Sequence, residues 1–238
     1  MRAVILAGGK GTRLRPYTTL IPKPLVPLGG RVSILEVVLL QLKAAGFGHV
    51  TLAVNHLSNL IMAYFGDGSR FGLRIDYSLE EEPLSTIGPL TLISDLPDDF
   101  LVMNGDILCD LDYGRFFADH VASGAETSVS VFRRDVKIDF GVLRFDAEFR
   151  LREFVEKPTY SFDVSMGIYC LNRKVVDALP RGKPYGFDSL MIDGIARCAN
   201  IRIAPFGGYW LDIGRPDDYE YADTNFEALA RRLNVSLP

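Results

Sequence analysis

A short apolar run that breaks into glycine at the head of the chain constrains the fold more than any other feature. Val4, Ile5 and Leu6 suit a buried strand of a parallel sheet covered on both faces, and Gly8, Gly9 and Gly11 follow directly. Glycines at a strand end lack Cβ atoms, so backbone N–H groups can turn toward a ligand and approach it closely. Arg13, Arg15 and Lys23 bring positive charge to the same segment, the lysine held between Pro22 and Pro24. The segment reads as a cradle for a polyphosphate. It is neither of the two common phosphate loops: G-x-x-x-x-G-K-[ST] is absent, and Leu14 stands where the third glycine of G-x-G-x-x-G belongs.

Helix and strand patterns alternate after this loop. Ser33 reads as the N-cap of an amphipathic helix over 34–45, closed by Gly46. Strands are expected at 50–54, 73–77, 100–103 and 127–132, and helices at 57–65, 84–96 and 116–122, with Pro89 in the first turn of the second of these or kinking it. Such alternation predicts an α/β fold with a mainly parallel sheet and right-handed crossovers. The pattern then changes. Strands at 141–145, 151–155 and 164–171 follow on short connections, which predicts a small antiparallel or mixed β sub-part. A helix over 187–198, strands at 201–205 and 209–211, and a helix from Pro216 to about Leu233 complete the reading. One domain is expected, its halves covering about 1–135 and about 136–238.

Composition narrows the function. The net charge is −4, which argues against a nucleic-acid binder and leaves any basic cluster to serve a small anion. Cys109, Cys170 and Cys198 are scattered, with neither zinc nor disulfide spacing, as in a reducing cytoplasm. No apolar stretch is long enough for a membrane span, so a soluble cytoplasmic protein is expected. His49, His56 and His120 have no metal spacing and read as structural. A homo-oligomer stays open.

The sequence from Gly8 to Pro16, GGKGTRLRP, and then PKPLVP from Pro22 to Pro27, resembles the N-terminal signature of the sugar-1-phosphate nucleotidyltransferases, or NDP-sugar pyrophosphorylases. The resemblance runs to about Tyr219 and implies a Rossmann-like nucleotide-diphospho-sugar transferase fold. It also implies a reaction, NTP plus sugar 1-phosphate giving NDP-sugar and pyrophosphate, with Mg²⁺ as cofactor. The β-helix of hexapeptide repeats that follows this domain in many relatives is not expected within these residues.

The resemblance implies roles residue by residue. Leu6, Ala7, Gly8, Gly9, Gly11, Thr12, Arg13, Lys23, Asn104 and Gly105 would surround the nucleotide. Arg13 is expected at the β- and γ-phosphates, and Lys23 at the α-phosphate. Asp106 closes an Asn-Gly-Asp turn at the carboxyl end of a strand, the edge where open α/β sheets bind ligands. On their own, Asp106 reads as a turn residue and Asp212 as a helix cap; as a pair they resemble the family's Mg²⁺ ligands. On the acceptor side, Gly141 would leave room for the sugar, Glu156 would accept from its hydroxyls and Lys157 would hold its phosphate. Ser165 stands where relatives carry an asparagine, two residues before a matching Gly167, and puts the usual hexose pose in question.

Base choice is expected in SLEEEPLSTIGPL, from Ser78 to Leu90, with Glu80 or Glu82 as the reader and Thr86 beside it. This stretch resembles that of mannose and heptose 1-phosphate guanylyltransferases, which points to GTP. A carboxylate could equally accept from N3–H of uracil or thymine, so UTP, dTTP or CTP stays open. So do an alditol-phosphate acceptor and a catalytically silent subunit that binds an NDP-sugar.

Overall fold

The computed structural model describes residues 1–235. β1 (Arg2–Leu6) leads into the glycine loop, after which β2 (Pro27–Leu28) and β3 (Val32–Ser33) form a small hairpin and α1 (Ile34–Ala44) begins. α1 starts where expected because Ser33 and Glu36 form a capping box: the Ser33 hydroxyl accepts from Glu36 N at 3.3 Å, and Glu36 Oε2 accepts from Ser33 N at 2.6 Å. Then come β4 (His49–Val54), α2 (Ser58–Phe65), β5 (Arg74–Leu79), β6 (Asp99–Asn104), β7 (Ile107–Cys109) and α3 (Tyr113–Ser123). β8 (Thr127–Lys137), β9 (Val142–Phe145), β10 (Leu151–Val155) and β11 (Thr159–Asn172) make the β-rich part. α4 (Arg173–Asp177), α5 (Phe187–Ala196), β12 (Ile201–Phe206), β13 (Trp210–Asp212), α6 (Pro216–Thr224) and α7 (Phe226–Arg232) finish the chain.

The central sheet runs β12-β8-β11-β6-β1-β4-β5. β1 pairs parallel with both β4 and β6, whereas β11 pairs antiparallel with both β6 and β8. Mainly parallel with one reversed strand, this is the Rossmann-like architecture expected. Both faces are covered. Ile5, Leu52 and Leu101 pack with Leu35, Val38 and Leu42 of α1, while Val4 and Val102 pack on the other face with Ile87, Leu90, Tyr169 and Leu190.

Two expected elements differ. Residues 84–96 hold only a 3-10 turn at Gly88–Leu92. Pro89 has no N–H to donate, Ser85 takes a left-handed φ of +66°, and the amides of Ile87 and Gly88 both donate to Tyr185 O at 2.9 Å instead of to a helix. The terminal helix is broken at Asn225 into α6 and α7. Beyond the main sheet, β8 and β11 continue as a two-stranded ribbon, and β9 and β10 form a separate antiparallel pair. No helix among the described residues is long and apolar enough to cross a membrane.

Candidate active site

The site lies at the carboxyl edge of the sheet, where β1 stands between β4 and β6 and the chain leaves Leu6 and its partner Asn104 in different directions. A cleft of about 570 Å³ opens there. Leu6, Ala7, Gly8, Gly9, Gly11, Thr12, Arg13 and Lys23 line it on the loop side, and Asn104, Gly105 and Asp106 line it from the end of β6. Glu80, Ser85 and Thr86 come from the opposite wall.

The glycines serve distinct ends. Gly11 has φ +61°, and a Cβ there would lie 3.0 Å from Thr18 Cγ2 and 3.3 Å from Lys23 Cβ, so only glycine lets the loop fold tightly against the lysine's segment. A Cβ on Gly9 would meet no atom within 4 Å, which leaves that backbone open to a ligand. At Gly8 a Cβ would come within 3.0 Å of Glu80 Oε1. Glu80 is buried, and its Oε2 accepts from Leu84 N at 3.1 Å. Burial pushes its pKa up, with the Leu84 N–H working against it. The wall carrying Ser85 and Thr86 is tied to residues 185–187: Tyr185 N donates to Leu84 O at 3.0 Å and Phe187 N to Thr86 Oγ1 at 2.8 Å.

Charge concentrates at Lys23, Asp106 and Asp212. Lys23 Nζ pairs with Asp106 Oδ2, the side chains being only 12% and 24% exposed. The other oxygen, Asp106 Oδ1, is buried without a protein partner. Asp212 is brought alongside by β13, which pairs antiparallel with β7 so that Asp212 faces Ile107; next to it, Ile213 N donates to Asp106 O at 3.1 Å. Although Asp212 keeps part of its surface in solvent, the protein packed around its carboxyl and the charge of Asp106 push its pKa up, against the pull of Lys23 and Arg13. Among the described residues no group of three or more His, Cys, Asp or Glu is placed to hold a metal. The donor set is a pair of carboxylates with an unspent oxygen. That suits a hard dication which takes one or two carboxylates and fills its shell from phosphate and water.

The acceptor-side residues stand outside this cleft wall. Gly141 and Glu156 are neighbours, since a Cβ on Gly141 would lie 3.2 Å from Glu156 Oε2 and 2.5 Å from the Phe154 ring. Lys157, at φ +44°, is exposed, with Nζ 3.9 Å from Glu156 Oε1. Gly167 reaches the site through Asn104: at φ +73°, its missing Cβ would sit 2.6 Å from Asn104 Nδ2. The Ser165 hydroxyl is already engaged, 3.1 Å from Tyr169 Oη and accepting from Gly167 N at 3.3 Å. Trp210 donates its Nε1–H to Met166 O at 3.2 Å and packs on Phe132. Glu82 is solvent-facing and does not line the cleft.

Residues 2–228 match the nucleotidyl transferase family. The chain belongs to this family. It is 34% identical over 227 residues to the mannose-1-phosphate guanylyltransferase catalytic subunit beta of Xenopus tropicalis, covering 92% of this chain and 62% of that protein. It is 35% identical over 228 residues to a mannose-1-phosphate guanylyltransferase of Mycobacterium tuberculosis, covering 91% and 62%. The chain thus spans about 62% of the length of these curated relatives. Among solved structures, HddC from Yersinia pseudotuberculosis superposes with a TM-score of 0.74 at 28% identity, covering 94% of this chain and 99% of that one. The same protein complexed with GMP-PN gives a TM-score of 0.72 at 27% identity over the same shares of the two chains.

In this family member Lys10, Asn55, Pro83, Pro89 and Gly214 also line the cleft; Lys10 lies within the N-terminal signature and Pro83 and Pro89 within the base-choice stretch, whereas Asn55 and Gly214 belong to neither. Asn55 follows the last residue of β4 and had a signal in its position at the carboxyl end of a parallel strand, where its Nδ2 donates to Glu80 O at 2.9 Å. Gly214, two residues past Asp212, carried no signal of its own.

Proposed function

We infer that this chain transfers a nucleotidyl group from an NTP, with GTP preferred, to a sugar 1-phosphate, releasing pyrophosphate. The observation that carries this reading is the Lys23–Asp106 ion pair beside Asp212 at the head of a glycine-lined cleft. The amides of the loop and Arg13 receive the β- and γ-phosphates and stay with the departing pyrophosphate. Lys23 supplies positive charge at the α-phosphate, where negative charge grows as the acceptor oxygen attacks. Lys157 holds the acceptor phosphate as a point charge, and Glu156 accepts from sugar hydroxyls. Asp106 and Asp212 would hold Mg²⁺, which would supply positive charge to offset that of the phosphates. The attacking phosphate oxygen is ionised at neutral pH, so no side chain has to remove a proton. Catalysis is then positioning and electrostatic stabilisation.

On the base side, Glu80 is the candidate reader, because it lines the cleft while Glu82 faces solvent. It can accept from both N1–H and the 2-amino group of guanine, and the guanylyltransferase names of the relatives support that choice. Ser165 does not hold the sugar as the asparagine of relatives would, since its hydroxyl is spent on Tyr169 and Gly167, so a hexose or heptose takes a different pose here. The test is pyrophosphate release with GTP, UTP, dTTP, CTP and ATP against a panel of sugar and alditol phosphates, products being weighed by mass spectrometry. GTP with a hexose or heptose 1-phosphate should give the largest release. No release with any pair would leave the reading of a silent NDP-sugar-binding subunit.

A further inference from the structure

We propose that Lys23 holds the place of the metal in the nucleotide-free protein, so that divalent cation and nucleotide bind as a coupled pair. The inference rests on the nucleotidyl-transfer reading and deepens it, from the roles of the residues to the order in which their ligands enter.

Lys23 has little freedom. Its backbone lies in a 3-10 turn between two prolines, with Leu25 N donating to Pro22 O at 2.9 Å and Val26 N to Lys23 O at 3.1 Å. Only its side-chain torsions can move the ammonium. That ammonium sits on Asp106 Oδ2, one of the oxygens that a dication would need. Its charge, together with that of Arg13, also reaches Asp212. Among the described residues, no other base makes an ion pair with Asp106 and none makes one with Asp212. In the absence of ligands the lysine is therefore the cation of the acidic pair.

A dication arriving alone has to share Asp106 with an ammonium, or push it away. Pushing it away leaves a charge that is only 12% exposed without an anionic partner, a costly state. A triphosphate removes that cost by offering the ammonium a new anion at the α-phosphate. Asp106 Oδ2 then joins the already unpartnered Oδ1 as a free donor. By linkage, if nucleotide tightens the cation, the cation tightens nucleotide by the same factor. One lysine serves in turn as counter-ion of the empty site and as ligand of the α-phosphate, and each N–H that it turns to the phosphate is one fewer for Asp106.

Metal–triphosphate chelation alone would also couple the two ligands, so the deciding measurement is made without nucleotide. Free Mn²⁺ is counted by electron paramagnetic resonance in titrations of wild-type protein, Lys23→Met, and Lys23→Gln, which keeps a donor to Asp106 and guards against misfolding of the methionine variant. No sugar phosphate is present, so nothing turns over. Both variants should bind Mn²⁺ more tightly than wild type, by on the order of tenfold for methionine. Asp106→Asn placed on the methionine variant should erase the gain. Titrations with GTP, UTP and dTTP follow on wild type. If nucleotide and Mn²⁺ bind but the variants hold Mn²⁺ no tighter than wild type, the inference is overturned while the transferase reading stands. If no nucleotide binds under any condition, both fall.

Discussion

Ser85 is held at φ +66° on the cleft wall, and its hydroxyl has no protein partner among the described residues. Left-handed backbone costs a residue with a Cβ about 1–2 kcal/mol, part of which is recovered because serine restricts the unfolded chain more than glycine does. Ser85→Gly should therefore raise the urea midpoint, by about 1 kcal/mol in stability, whereas Ser85→Ala should leave the strain in place. Strain of this kind gathers at ligand sites, so the same glycine variant should weaken nucleotide binding while it firms the fold, which fluorescence titration would show. A second residue acts through pH. His120 is buried, with Nδ1 2.8 Å from Ser128 Oγ and Nε2 3.4 Å from Asp99 Oδ1. Burial lowers its pKa below the ordinary 6.5, and the Asp99 charge only partly opposes this. Below pH 6.5 the unfolded chain thus takes up a proton that the folded one refuses, so stability falls as pH drops through that value toward the lower folded pKa. Urea melts at pH 7.5 and 5.5 should show this loss in wild type and a smaller one in His120→Leu.

Elements with a local cause are legible in the sequence itself. The helix α1 has its cap written in Ser33 and Glu36, and β1 has its burial written in Val4 and Ile5, both fully buried. The stretch 84–96 was not legible as a turn, because what unwinds it is remote: the amides of Ile87 and Gly88 go to the carbonyl of Tyr185, nearly a hundred residues on. The same holds for β11. Its sequence shows a strand, but the bulge between Ser165 and Tyr169, which spends the Ser165 hydroxyl inside the strand and turns Gly167 toward Asn104, depends on the neighbours β6 and β8. That bulge makes a sharp prediction. Alanine at Gly167 would set a Cβ 2.6 Å from Asn104 Nδ2 and 2.9 Å from Ile107 Cδ1 in left-handed backbone. Gly167→Ala should cost about 1–3 kcal/mol in a denaturant melt. Since the displaced Asn104 lines the cleft, kcat/KM should fall by more than the loss of folded protein explains.

At the scale of the whole molecule, the site exists because two distant parts of one chain are clamped together. β7 and β13 are three residues each, and their pairing sets Asp212 against Ile107 and Ile213 against Asp106. Nothing local in either strand announces this partner across about a hundred residues. Only the resemblance of the flanking motifs to known relatives pairs the two aspartates at the level of sequence, and the β7–β13 pairing is the physical reason that they meet. The glycine loop and Lys23 come with β1, Asp106 with β6, and Asp212 with β13, so neither half of the chain holds the charge arrangement by itself. If the two carboxylates act as one cation-holding unit, removing either removes the unit. Asp106→Asn and Asp212→Asn should each lower the rate of pyrophosphate release by on the order of 10²–10³-fold. The double variant should lie within a few-fold of the worse single one, because residues that act together are strongly non-additive. A double variant whose loss is the product of the single losses would instead mean two independent roles. Circular dichroism melts should separate this from collapse of the clamp, since the β7–β13 bonds are made by backbone and survive both substitutions.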